Sequence, residues 1–136
     1  MIRLPSRLES TEHEYIELLQ LLEPHEFALG GAWDYKHGSL DRYLDGAHKV
    51  WLRLPFDVVS GDLDVESAQN VRIRMGQPYV LKHVYNEGLD QEARVNIVGA
   101  LFDQFSQPID SDAEIEPEWV EAGKKLLAQV ERLIAR

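Results

Sequence analysis

The side chains that could do chemistry are few and scattered along the chain. Five histidines are present, His13, His25, His37, His48 and His83. A metal centre commonly takes its histidines at i, i+2 or i, i+4 spacing, or gathers them through the fold. No such local pair and no HExxH occurs here. His83 stands apart because Lys82, Tyr85, Glu87 and Asp90 are close to it in sequence. An imidazole beside carboxylates can act as a tuned base or a ligand contact. Lys82, His83, Tyr85, Glu87 and Asp90 are therefore the candidate ligand-binding group. The competing role for His83 is structural, as a histidine hydrogen-bonded near a turn.

The acidic runs invite a calcium reading. Asp110, Asp112, Glu114, Glu116, Glu118 and Glu121 fall at the ligand offsets of an EF-hand loop. The sharp turn such a loop needs from glycine is occupied by Ile115, with Pro117 two places on, so the backbone cannot comply. The window from Asp62 fails as well, with Ser67 at the glycine position and Ile73 in place of the closing carboxylate. Neither GxxxxGK[ST], GxGxxG nor GxSxG occurs, and Ser60, Ser67 and Ser106 have no evident base partner. No catalytic residue, metal ligand or cofactor is assigned. Arg72 and Arg74 share the polar face of one strand, and Arg53 is a possible third member. Three guanidiniums on a sheet face can hold an anion, although pairing with nearby acids is the commoner outcome.

These residues must be positioned by a chain of 136 residues, about the length of one domain, so residues 1–136 are read as a single unit. Twenty-four acidic against 14 basic residues give a net charge of -10. That field disfavours nucleic acid and anionic membranes as partners. The absence of cysteine excludes disulfides, thiolate metal sites and cysteine nucleophiles. No run approaches the roughly 18 apolar residues of a spanning helix, and residues 1–14 lack the apolar core of a signal peptide. A cytoplasmic location is expected.

Thr11 and Glu14 have capping-box spacing, and Tyr15, Leu18, Leu19 and Leu22 follow at helical intervals before Pro24. This predicts a helix over 10–23. Ala32 to Lys36 and Leu40 to Leu44 read as strands, and Asp45-Gly46 as a tight hairpin turn. Val50, Leu52, Leu54 and Phe56 alternate with Trp51, Arg53 and Pro55, a strand with one apolar face. Pro55 points to an edge or a bulge there. Val71, Ile73 and Met75 alternate with Arg72 and Arg74, and Tyr79 to Tyr85 reads as a further extended segment. Residues 86–91 read as a turn, and Asp103 to Glu118, with six acids and no Lys or Arg, as an irregular connection. A closing helix carries Trp119, Val120, Leu126, Leu127, Val130, Leu133 and Ile134 on one stripe, with Pro117 in its first turn.

Helix, strands, connection, helix is an α+β order. It predicts an antiparallel or mixed sheet with the N-terminal and C-terminal helices packed on one face. The far face then meets solvent, a partner or a ligand, with Trp33, Tyr35, Trp51 and Tyr79 as its candidate aromatics. Trp51 lies opposite the Val50–Leu52–Leu54 face and is the candidate anchor of a twofold homodimer.

With these landmarks placed, the chain resembles the YugN-like family of small bacterial proteins. The resemblance rests on GGAWDY at Gly30 to Tyr35, LRLPFDVVSGDLD at Leu52 to Asp64, QPYVLKHVYNEGLD at Gln77 to Asp90, FDQFSQPIDSDAEI from Phe102, and the closing helix. It implies a one-domain α/β-type fold in the cytoplasm of a Gram-positive bacterium. It transfers no activity and no catalytic or binding residue. The reading that follows is a non-enzymatic binding or regulatory module working through the far sheet face and the Lys82–Asp90 turn. The alternative is a small-molecule-binding protein or enzyme with a pocket near His83.

Overall fold

The computed structural model describes residues 1–31, 33–63, 70–85, 108–110 and 114–135. Its strands are β1 (Ile2–Arg3), β2 (Glu12–Glu14), β3 (Ala28–Leu29), β4 (His37–Tyr43), β5 (Val50–Ser60), β6 (Arg72–Met75), β7 (Tyr79–Lys82), β8 (Val84–Tyr85) and β9 (Pro108–Asp110). The helices are α1 (Tyr15–Leu22), followed by a 3₁₀ turn at Glu23–His25, and α2 (Pro117–Ile134). Seven strands form one antiparallel sheet, in the order β1-β7-β5-β4-β3, with β6 also on β5 and β2 on β6. β8 and β9 pair separately. The architecture is α+β with an antiparallel sheet.

β5 is the central strand. Pro55 does not send it to the edge. β5 keeps β4 along one side and changes partner on the other, from β7 over Val50 to Arg53 to β6 over Phe56 to Ser60. Pro55 sits at that change, where Gly76 donates its N–H to the Pro55 carbonyl at 2.8 Å. The missing proline N–H thus falls where the ladder is already broken.

The even positions of β5 face the core. Leu52 and Leu54 are fully buried, and Val50 and Phe56 nearly so. They join one cluster with Tyr15, Leu18 and Leu22 of α1 and Leu126, Leu127 and Val130 of α2. Burying each such side chain contributes about 1.5–3 kcal/mol. Trp119, Val120, Leu133 and Ile134 flank the cluster, so the stripe expected for α2 is the face it buries. The N-terminal segment is tied to α2 by Glu131, whose carboxylate accepts from the Ser6 hydroxyl and the Arg7 N–H at 2.9 Å.

Four local expectations are corrected. The first helix starts at Tyr15, because residues 12–14 are drawn into pairing with β6. Thr11 does not cap it; Glu14 does, accepting from the Glu17 N–H. Residues 33–36 form no strand, and β4 begins at His37. Asp45-Gly46 is not a two-residue turn. The Asp45 carboxylate accepts the N–H groups of Lys49 and Val50, closing a wider loop in which His48 takes the positive φ. Within the acidic connection, Pro108–Asp110 is a strand. The turn expected over 86–91 lies outside the described residues.

α2 crosses β7 at Gly123. A Cβ there would stand 2.5 Å from Val80 Cγ2, with Leu44 and Leu4 also in contact range. Glycine to alanine inside a helix ordinarily gains about 1 kcal/mol. Val80 is fully buried and stiff at its branched Cβ, and overpacking costs about 1–3 kcal/mol. Gly123→Ala is therefore expected to lose about 1 kcal/mol in the native background and to gain stability in a Val80→Ala background. Urea denaturation of the four proteins checks this. A gain in the native background contradicts the contact.

Candidate functional site

The odd positions of β5 build a second surface on the opposite face of the sheet. Register sets two rows across β4, β5 and β7. One row is Tyr43, Trp51 and Leu81; the other is Asp41, Arg53 and Tyr79. Trp51 and Leu81 are 7% and 5% exposed yet lie outside the core cluster. Tyr43, 48% exposed, meets Trp51 edge-on at 5.6 Å and stacks on His48 at 4.1 Å. His83 meets the other side of Trp51 at 4.5 Å, nearly perpendicular. Such aromatic contacts add about 0.5–1.5 kcal/mol each beyond burial.

Arg53 and Asp41 form the polar centre of this surface. Arg53 Nε and Nη2 each donate to one Asp41 carboxylate oxygen at 3.1 Å, a bidentate fork. The two side chains are 21% and 18% exposed, well below an ordinary surface pair. The guanidinium also lies 5.6 Å from the Trp51 ring centre and 5.9 Å from that of Tyr79, and donates weakly to the Tyr79 hydroxyl. Burial works against its charge, but hydrogen bonds to Asp41 and Tyr79 outweigh it and raise the Arg53 pKa. Asp41 is reached closely by the chain at Gly30, where a Cβ would lie 2.6 Å from Asp41 Oδ2 and 2.7 Å from Ser39 Oγ. Only glycine fits there without displacing the pair. Beside the pair is a cavity of about 270 Å³, walled by Leu29, Gly30, Gly31, Tyr43 and Trp51 and by the ion pair itself. The Trp51 indole N–H is buried without a hydrogen-bond partner among the described residues.

The residues expected to bind ligand are only partly brought together. Lys82 is committed to Glu116 at 2.6 Å, which holds the Glu116 carboxyl below its ordinary range. His83 turns to Trp51, and its backbone N–H donates to the Lys49 carbonyl. Tyr85 belongs to β8. Glu87 and Asp90 lie outside the described residues. Of the far-face aromatics, Trp51 and Tyr79 are on the surface just described. Trp33 packs against the core instead, and Tyr35 is exposed in the segment before β4. Arg72 and Arg74 both pair with Glu12, so these two guanidiniums share one acid, while Arg53 pairs with Asp41. Among the described residues no three His, Asp or Glu side chains converge to hold a metal, and no helix is long and apolar enough to cross a membrane.

Asp41 and Tyr43 were not singled out by the sequence, and Gly30 only as part of GGAWDY. Alternation along β4 would place Asp41 and Tyr43 on one face. Only the pairing register shows that they stand opposite Arg53 and Trp51.

The fold and this surface define a small antiparallel-sheet α+β protein with an aromatic-walled ion pair on the face opposite its core. Residues 3–134 match the model of the YugN-like family, and the chain belongs to that family. It is 33% identical over 135 residues to the uncharacterized protein YugN of Bacillus subtilis (strain 168), covering 98% of each chain. Its fold is similar to the crystal structure of the uncharacterized conserved protein YugN from Geobacillus kaustophilus HTA426. The TM-score is 0.69 at 21% identity, over 98% of this chain and 94% of that one.

Burial, and secondarily the Arg53 charge, lowers the His83 pKa below its ordinary 6.5. The unfolded chain then binds a proton more readily than the folded one. The stability due to neutral His83 is complete above 6.5 and is lost as pH falls from there toward the lowered folded value. The thermal midpoint is expected to fall as pH drops below 6.5, and His83→Gln to flatten that slope. An unchanged slope in the variant contradicts the burial of this imidazole.

Proposed function

We propose that this chain is a non-enzymatic binding module, acting in the cytoplasm, that takes its ligand on the sheet face opposite both helices. Residues of α1 and α2 enter the same core cluster as the even positions of β5, which supports placing both helices on that side. The observation that carries the reading is the Asp41–Arg53 fork. An ion pair this sheltered, between two aromatic rings and beside a 270 Å³ cavity, is costly to desolvate and adds little stability over an apolar pair. It supplies what a binding site needs, a few fixed polar groups within an apolar wall. The indole N–H of Trp51, buried with no partner among the described residues, is a further cost retained at the same place.

The pair is electrically neutral, so an uncharged ligand with an aromatic or aliphatic body suits the cavity. The alternative pocket near His83 has less support, because Lys82 is engaged by Glu116 and His83 by Trp51.

Among the described residues a Cβ built at Gly31 meets nothing within 4 Å, and Gly31 lines the cavity. Gly31→Leu is therefore expected to fill the cavity while leaving the thermal midpoint unchanged. Saturation-transfer NMR with small uncharged aromatics such as benzamide and indole should show binding to the native chain and none to the variant. Equal binding to both proteins, or to neither, contradicts the proposal.

A further inference from the structure

A second cavity, of about 260 Å³, lies away from that surface, where β2 runs into α1 and the end of α2 comes close. His13 and Glu17 line it together with the apolar Leu18, Leu21 and Ile134. The protonation of His13 follows from its neighbours. Thr11 Oγ1 is 2.6 Å from the Leu8 carbonyl, and a carbonyl only accepts, so the single hydroxyl proton goes there. The same oxygen is 2.8 Å from His13 Nε2. It has no second proton to give, so Nε2 must be the donor. In the neutral ring, Nδ1 is then the lone-pair acceptor. Burial, with the charge of Arg72 second, lowers the His13 pKa and favours that neutral ring.

The carboxylates around it are unequal. Glu12 is held by Arg72 and Arg74, and Glu14 is occupied in capping α1. Among the described residues, Glu17 makes no side-chain hydrogen bond or ion pair. Since Arg72 and Arg74 both answer Glu12, the three carboxylates at the cavity stand against two guanidiniums and leave one negative charge unmatched, beside the ring of His13 and an apolar wall. A metal ion does not fit, since no three ligating side chains converge among the described residues. What fits is a cation that donates a hydrogen bond and carries a hydrocarbon body.

We propose that this cavity binds a small primary alkylammonium. Its N–H donates to His13 Nδ1, its charge faces Glu17, and its chain lies along Leu18, Leu21 and Ile134. The site is independent of the Asp41–Arg53 surface.

The test is a titration of the full chain, with ¹⁵N in its histidine rings, by n-butylammonium chloride. Long-range ¹H–¹⁵N spectra are recorded, with His13 assigned through His13→Gln. The free protein should show His13 protonated at Nε2 alone. n-Butylammonium should shift the His13 Nδ1 resonance saturably and leave the other four histidines in place. Glu17→Gln, a change at an exposed position, should weaken that response about fivefold, the size of an exposed ion pair. Tetramethylammonium, which lacks the N–H, and n-butyrate, which reverses the charge, should leave His13 unmoved. A proton on Nδ1 in the free protein, no saturable shift with n-butylammonium, or an equal shift with tetramethylammonium would overturn the proposal.

Discussion

The two-residue period of β5 is the constraint on which the rest of this structure depends. The strand is 11 residues long and has partners on both sides, so neither of its faces is free to drift. Its even positions are taken by Val50, Leu52, Leu54 and Phe56, which fixes one face as the core. Trp51 and Arg53 must then stand on the other face, whatever that costs. A slip of one residue against β4 would turn Arg53 toward the core cluster, and burying an unpaired charge there would cost far more than any repacking returns. Register is thereby locked from both sides of the sheet.

The same constraint explains why the opposite face has a structured interior of its own. Arg53 sits between a tryptophan and a tyrosine, so its charge has to be answered locally. The answer comes from Asp41 on β4, directly opposite in register, and from the glycine at position 30 that lets the chain pass close to the carboxylate. Sheet faces that merely meet solvent carry flexible, loosely paired charges. The Glu12–Arg72–Arg74 cluster on β2 and β6 is of that kind, with side chains about a third to a half exposed. The Asp41–Arg53 fork differs in both burial and geometry, and this difference makes it the better candidate for function.

Much of this was legible in the residues. Alternation located β5 and β6, the apolar stripe and Pro117 located α2, and the order of elements gave the α+β class. GGAWDY and the stretch from Gln77 to Asp90 indicated the family. What was not legible depended on pairing between distant segments. Residues 12–14 carry a helix-start pattern, yet β6 recruits them as a strand, and tertiary hydrogen bonds override a local preference. Asp45 reads as the first half of a tight turn until its carboxylate is seen to hold two N–H groups four and five residues on. Pro55 argues for an edge unless the strand's partner changes at that residue. Alternation puts Trp51 on the side of β5 opposite Val50, Leu52 and Leu54, but its contacts with Tyr43 and His83 depend on how distant strands pair.

A crystal structure of the chain soaked in small uncharged aromatic compounds tests the central claim most directly. The account predicts ordered density in the cavity between Leu29, Tyr43 and the Asp41–Arg53 fork, with the fork intact beside it. Compounds ordered only at other places on the molecule, with that cavity holding solvent alone, would contradict it.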